Sequence, residues 1–324
     1  MQYRRLGSTG IQVSAISFGA GPIPALLTGD DRARQLAVVQ HAIDRGINWF
    51  DTAAGYGDGA SESNLGAVLE QLGAQHAVHV ATKVRLLDSD HGQLADAVVA
   101  SVRRSLDRLR LPRVALLQLH NALTVRRGDE PTSLTPSDVL GPSGVLEGLE
   151  RVRDLGWADW IGLTGIGQPV AQREVIASGR FQTLQVPYNL LNPSAGSEVP
   201  SDFAEANYGG VMNDCRALNM GVFAIRVFAG GALAGLPPSD YTYRTRFFPL
   251  DLYHRDQARA AALAAELTGD TAGSTEAGDV DASDSARVLR RAALRFSLAH
   301  PSVSSAILGL NAIEQVDEAC AAVE

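Results

Sequence analysis

The segment Val78–Leu119 reads VHVATKVRLLDSDHGQLADAVVASVRRSLDRLRLPRVALLQL, and its pattern indicates the class of fold. It begins with one short apolar run, Val78–Thr82, and ends with another, Val114–Leu119. Uninterrupted apolar runs of this length are typical of strands buried on both faces. Between them, apolar residues recur at helical spacing and predict an amphipathic helix through Leu94, Val98, Val102, Leu106 and Leu109. A strand, a helix and a strand in this order predict a parallel βαβ unit.

The same alternation runs along the whole chain. Further helical stripes surround Val39, Val68, Leu149 and Val316. Eight βα units without an internal linker in 324 residues favour an α/β fold with a single (β/α)8 TIM barrel over residues 1–324, rather than a doubly wound sheet with a second domain. The eight predicted strands are Ile16–Phe18, Ile47–Phe50, Val78–Thr82, Val114–Leu119, Trp160–Leu163, Thr183–Val186, Val222–Ile225 and Ser304–Leu308.

Two segments lie outside this repeat. Tyr3–Leu6 and Gln12–Ser14 flank turn residues and predict an N-terminal β-hairpin that closes the barrel floor. Residues 269–285, GDTAGSTEAGDVDASDS, are small, polar and acidic, so they cannot bury enough apolar surface to offset their chain entropy. We expect a flexible acidic surface loop there, with a partner-binding segment as the alternative.

Composition excludes several classes of function. The 36 acidic and 28 basic residues give a net charge of -8, which argues against nucleic-acid binding. No stretch approaches the roughly 20 apolar residues of a membrane span, and MQYRRLG at the start lacks the apolar core of a signal peptide, so we expect a cytoplasmic protein without a membrane partner. Cys215 and Cys320 are too few for a disulfide framework and lie in no zinc motif. We therefore expect buried free thiols and no metal.

Ionisable residues follow three neighbouring predicted strands. Asp51 and Tyr56 come after the second strand, Lys83 after the third and His120 after the fourth. The carboxyl ends of barrel strands form the active-site face, so these residues are candidates for catalysis. Lys83 is the single lysine beside 27 arginines. A chain that uses arginine almost everywhere keeps lysine where a compact, titratable ammonium is needed.

The sequence around these residues resembles that of a known family. Residues 50–57 (FDTAAGYG) and 61–66 (SESNLG) are similar to the signature of the aldo-keto reductases, and the resemblance extends from the hairpin to the last helix. Asp51, Tyr56, Lys83 and His120 then fall at the positions of the catalytic tetrad of that family. The resemblance implies hydride transfer between a nicotinamide cofactor and a small carbonyl compound or sugar.

Elementary chemistry gives each member of this tetrad a role. A phenol titrates near pH 10, so Tyr56 needs a nearby cation if it is to act as general acid and base at neutral pH, and Lys83 is the candidate for that cation. A buried ammonium needs an anion, which Asp51 supplies. His120 is expected to hydrogen-bond the substrate oxygen.

By the same resemblance, the later strand ends bind the cofactor. Thr164 and Gly165 stand where many members have a Ser-Asn pair for the nicotinamide carboxamide, and Gln185 matches an amide that contacts the same group. Ile225 replaces an aromatic ring that often stacks on nicotinamide. The other expected contacts are Gly19 and Ala20 beside the nicotinamide, Arg226, Phe228 and Gly230 along the pyrophosphate, and Gly309, Leu310, Asn311, Gln315 and Glu318 around the adenosine.

The adenosine segment bears on the choice of cofactor. Family members that prefer NADPH usually carry a cation there to pair with the 2′-phosphate, and this segment has none, so NAD(H) is favoured and NADP(H) is possible. These features are similar to the branch that includes L-galactose, L-fucose and related aldose dehydrogenases. The expected reaction interconverts an aldehyde, ketone or aldose and the corresponding alcohol or lactone.

Two other functions remain compatible with the sequence. A desolvated lysine in a barrel can attack a carbonyl, so Lys83 could serve a Schiff-base lyase. The same scaffold could also act as a non-catalytic cofactor-binding subunit, because a fold does not fix a function. The sequence predicts no particular oligomeric state.

Overall fold

Eight parallel strands form a closed barrel in the computed structural model, which describes residues 1–244, 249–269 and 282–324. Each strand pairs with the next along the chain, and the last pairs with the first. All eight predicted strands are confirmed. They are β3 (Ile16–Gly19), β4 (Trp49–Asp51), β5 (His79–Val84), β6 (Val114–Leu119), β7 (Ala158–Thr164), β8 (Thr183–Pro187), β9 (Gly221–Ile225) and β10 (Val303–Gly309).

Helices follow the strands and pack their apolar stripes against the outside of the barrel. In α3, for example, Val98 and Leu109 are fully buried, as the helical spacing predicts. Within the described residues the helices are α1 (Arg32–Asp44), α2 (Ala60–Gln71), α3 (Leu94–Leu109), α4 (Pro136–Leu140), α5 (Val145–Asp154), α6 (Pro169–Ala177), α7 (Val211–Ala217), α8 (Asp240–Arg244), α9 (Leu250–Thr268), α10 (Ala282–Ala299) and α11 (Ile313–Ala321). No helix in these ranges is long and apolar enough to cross a membrane.

The predicted N-terminal hairpin is also confirmed. It consists of β1 (Tyr3–Arg5) and β2 (Gln12–Ser14), which pair antiparallel. Leu6 and Val13 from this hairpin are fully buried and pack with Trp49 and Phe223 of the barrel interior. The approach to the first residue of β9 is so close that a Cβ on Gly7 would lie 2.2 Å from the nitrogen of Gly221. The hairpin therefore closes the amino-terminal end of the barrel and leaves the other end open.

Both cysteines are free and buried, as expected from the sequence. Burial raises the pKa of the Cys215 thiol to about 12. The acidic loop prediction falls largely outside the described residues. Gly269 ends α9 in a left-handed conformation, residues 282–285 open α10, and residues 270–281 are not among those described.

Candidate active site

The barrel register brings the four predicted catalytic residues to one end of the barrel. Asp51 is the last residue of β4, where it pairs with Ala81 of β5. Lys83 lies two residues further along β5, and His120 directly follows β6. Tyr56 lies in the loop between β4 and α2. Because parallel strands end at a common edge, side chains from three separate segments meet there.

Lys83 is the centre of this cluster. Its ammonium donates hydrogen bonds to Asp51 Oδ1, to the carbonyl of Thr52 at 2.9 Å and to the Tyr56 hydroxyl at 3.3 Å. The side chain of Lys83 is 0% exposed and that of Asp51 is 4% exposed. The ion pair is therefore withdrawn from water, and all three protons of the ammonium have acceptors.

Two amides hold the other oxygen of the Asp51 carboxylate. Gln185 donates from Nε2 to Asp51 Oδ2 at 2.9 Å, and Gln118 donates to the same oxygen at 3.3 Å. Gln118 was missed in the sequence, although a lone amide within the apolar run of β6 was a signal for it. Gln185, expected to contact a carboxamide, bonds the tetrad carboxylate in this structure.

The loop that carries Tyr56 is held by hydroxyl groups. Thr52 Oγ1 and Ser61 Oγ lie 2.7 Å apart, and Ser61 donates to the carbonyl of Ala20 at 2.7 Å. The Tyr56 ring meets the His120 ring edge to face, with 5.7 Å between their centroids. The phenol therefore lies next to both the Lys83 ammonium and the His120 imidazole.

Burial and charge set the protonation of the pair. Burial raises the pKa of Tyr56, and the Lys83 ammonium opposes this without overcoming it, so the pKa of the phenol lies above its ordinary value. The sequence argument expected the ammonium to prevail. Burial alone would lower the pKa of Lys83, but Asp51 and then Tyr56 outweigh it, and the pKa of Lys83 is raised. Tyr56 is thus a neutral phenol and Lys83 an ammonium at neutral pH.

His120 is held in its neutral form. Burial, followed by the charges of Lys83 and Arg85, lowers the pKa of His120 well below its ordinary value. Its Nδ1 is buried and has no hydrogen-bond partner among the described residues. A neutral imidazole carries one N–H, so His120 can donate to an oxygen that enters beside Tyr56.

Five of the expected cofactor residues line one cavity of about 270 Å³. The cavity lies between the segment that follows β9, the end of β10, and helices α10 and α11. The expected residues in its wall are Phe228, Gly309, Leu310, Gln315 and Glu318. Arg290 and Arg291 of α10 also line it, so tertiary packing brings two cations to a segment that has none in its own sequence.

The remaining expected residues near the carboxamide and nicotinamide positions lie around the barrel mouth. Thr164 ends β7, and its buried Oγ1 has no hydrogen-bond partner in the described part of the chain. Gly165 donates its backbone N–H to the carbonyl of Gln185 at 2.7 Å. Gly19 pairs with Gly309 across the barrel seam, and Ala20 donates its N–H to the carbonyl of Asp51 at 2.8 Å.

The other expected residues follow β9 and β10. Ile225 ends β9 and packs on the barrel interior. Burial lowers the pKa of Arg226, whose guanidinium hydrogen-bonds Tyr208 and whose charge reaches Tyr56. Gly230 adopts a left-handed conformation with φ 70°, and Asn311 accepts a hydrogen bond at its carbonyl from Arg34 at 2.8 Å.

Comparisons with known proteins agree with this architecture. A sequence profile of the Aldo/keto reductase family matches residues 15–324. An aldo-keto reductase from Bacillus halodurans, solved in its holo form, superposes with a TM-score of 0.68 at 20% identity, over 100% of this chain and 91% of that one. At this identity the similarity demonstrates the shared barrel fold.

Three relatives indicate the range of proteins to which the chain is similar. L-galactose dehydrogenase from Arabidopsis thaliana is 26% identical over 100% of this chain and 88% of its own length. D-threo-aldose 1-dehydrogenase from Pseudomonas sp. is 28% identical over 76% of each. A probable voltage-gated potassium channel subunit beta from Arabidopsis thaliana is 26% identical over 100% of this chain and 92% of its own length. The profile spans nearly the whole barrel, and the chain belongs to the Aldo/keto reductase family of oxidoreductases.

Proposed function

We propose that the protein interconverts an aldehyde, ketone or aldose and the corresponding alcohol or lactone by hydride transfer, with Tyr56 as general acid and base. The observation that carries the proposal is the buried Lys83 ammonium, which touches both Asp51 and the Tyr56 hydroxyl. The similarity to two aldose dehydrogenases favours a sugar as substrate.

A nicotinamide cofactor suits the groups around the barrel mouth. The buried hydroxyl of Thr164 is free to hydrogen-bond an amide, and the cavity beside Gly309 and Leu310 offers an apolar wall with arginines at its edge. Thr164 and Gly165 would hold the nicotinamide end, and the cavity would hold the adenosine. When bound, the cofactor would supply or accept the hydride, which no protein side chain can do.

The side chains of the protein then position the carbonyl oxygen and transfer one proton. His120 donates its N–H to the carbonyl oxygen and positions it beside the phenol. Tyr56 gives its proton to the alkoxide that forms, and Lys83 stabilises the phenolate that remains. Asp51, held by Gln185 and Gln118, keeps the ammonium in place. In the oxidative direction Tyr56 must first ionise to remove the proton from the alcohol, and its raised pKa makes this direction faster at alkaline pH.

The lyase alternative is disfavoured by the state of Lys83. A Schiff-base lysine acts as a free amine and is usually activated by a lowered pKa. The pKa of Lys83 is raised because Asp51 and Tyr56 favour its charged form, and its nitrogen already has three acceptors. An ammonium with all protons engaged has no lone pair for attack on a carbonyl.

A non-catalytic cofactor-binding subunit is the second candidate. The similarity to a probable voltage-gated potassium channel subunit beta, over 100% of this chain, supports a subunit role. The two candidates differ in turnover. A catalytic protein consumes or forms reduced cofactor with an aldehyde or aldose, whereas a subunit of this kind only binds it.

Replacement of Tyr56 by Phe tests the proposal. We expect turnover with a panel of aldoses, aldehydes and α-dicarbonyls to be lost, while cofactor binding, followed by quenching of intrinsic fluorescence, is retained. Tyr3→Phe is the matched control, because it removes a phenolic hydroxyl that bonds Gly46 on the floor of the barrel. Turnover that survives in Y56F would contradict the assignment of Tyr56. If the wild-type protein binds cofactor but turns over no substrate, the result would favour the non-catalytic cofactor-binding subunit.

A further inference from the structure

The adenosine cavity contains an ion pair that the sequence does not reveal. Arg290 donates from Nε to Glu318 Oε1 at 2.7 Å and from the second terminal nitrogen to Oε2 at 3.0 Å. Its remaining terminal nitrogen lies 3.5 Å from the carbonyl of Ala234. The side chains are 28% and 32% exposed, so the pair lies at the edge of the cavity. Two parallel hydrogen bonds between planar groups fix both side chains.

This pair determines which charges the cavity presents. The charged residues in its wall are Arg290, Arg291 and Glu318. Glu318 accepts hydrogen bonds from two nitrogens of Arg290, so the Arg290 guanidinium is already paired with a carboxylate. Arg291 is exposed. A phosphate that enters the cavity must therefore compete with Glu318 for Arg290.

A ribose 2′-hydroxyl and a 2′-phosphate interact differently with the wall of the cavity. The hydroxyl can donate a hydrogen bond to a carboxylate, as acidic residues do for NAD in other folds. A phosphate is repelled by the same carboxylate and must compete with it for Arg290. The energetic difference between the two ligands then depends on Glu318 as well as on the arginines nearby.

We propose that the Arg290–Glu318 ion pair is a specificity determinant that disfavours adenosine nucleotides bearing a 2′-phosphate. The inference rests on the proposed function, because it places the adenosine of the cofactor in this cavity. Removal of the carboxylate frees Arg290, which then becomes a phosphate ligand. The pair thus converts a cavity with two arginines into one that prefers the unphosphorylated ribose.

The test compares the binding of 5′-AMP and 2′,5′-ADP, which differ only in the 2′-phosphate. Calorimetric titration of the intact protein gives the ratio of the two dissociation constants without any turnover. In Glu318→Gln we expect this ratio to shift about tenfold in favour of 2′,5′-ADP, as one gained charge-assisted contact allows. In the double variant E318Q/R290Q the shift should disappear, since the freed guanidinium is its cause.

Glu314→Gln is the matched control. Glu314 lies one turn earlier on α11, is exposed, is not in the wall of the cavity and changes the net charge by the same amount. An unchanged ratio in E318Q, or an equal shift in E314Q, would overturn the inference and leave the proposed function intact. If the folded wild-type protein binds neither nucleotide and no dinucleotide, both proposals fall. Retained 5′-AMP binding in E318Q shows that the variant has folded.

Discussion

Lys83→Met is the substitution with the clearest expected consequence. Methionine fills a similar volume but removes the ammonium that bonds Asp51, Thr52 and Tyr56. The Asp51 carboxylate then stays buried with only its two amide donors, at 2.9 and 3.3 Å. A buried charge that loses its counter-ion costs far more than the pair contributed.

The magnitude follows from the burial of the two side chains. At 0% and 4% exposure, water cannot replace the lost partner. We therefore expect K83M to lower the free energy of unfolding by about 3–5 kcal/mol. In the double variant D51N/K83M no formal charge remains in the site, so we expect it to be at least about 2 kcal/mol more stable than K83M alone.

Urea unfolding followed by circular dichroism measures both values. Turnover should be absent in both variants, so they differ in the free energy of unfolding and not in activity. A double variant no more stable than K83M would show that the loss arises from packing of the lysine stem. That result would refute the argument from the unpaired carboxylate.

The remaining predictions concern groups around the same centre and the two thiols. The folded chain holds the pKa of His120 below its ordinary value, so the unfolded chain takes up the proton first and stability falls as the pH drops below about 6.5. Between pH 7 and 5, H120N should lose up to about 2 kcal/mol less unfolding free energy than wild type, and an equal loss would contradict this. Gln185→Leu should lower kcat more than Gln118→Leu, because its hydrogen bond is 2.9 Å rather than 3.3 Å; the reverse order in steady-state kinetics would count against the geometry. Cys215 and Cys320, fully buried, should react with a thiol reagent only when the chain unfolds, and rapid labelling of the native protein would show otherwise.

The strands were predictable because a barrel imposes a simple pattern. A parallel strand covered by helices outside and side chains inside is apolar on both faces, so it reads as an uninterrupted run. The main discrepancy is at the second barrel strand. It was predicted as Ile47–Phe50 and is observed as Trp49–Asp51. The strand thus includes the carboxylate, which the apolar pattern could not indicate.

The tetrad could be located from the sequence because each member follows a strand. Contacts that depend on tertiary packing could not be located from the sequence. Arg290 and Glu318 are 28 residues apart, on α10 and α11, and β10 lies between these two helices in the sequence. Nothing in the spacing of Arg290 distinguishes it from Arg287 or Arg295 on the same helix, and only the packing of α10 decides which of them lines the cavity.

The presence of a single lysine beside 27 arginines has a stereochemical explanation. Lys83 places three acceptors from three separate groups around one nitrogen, which matches the three protons of an ammonium. A guanidinium spreads its donors over three nitrogens in one plane and cannot converge on a single point between a carboxylate and a phenol. Elsewhere in the chain, ion pairs such as Arg290 with Glu318 use the planar fork. The single lysine therefore lies where one nitrogen contacts a carboxylate, a carbonyl and a phenol together.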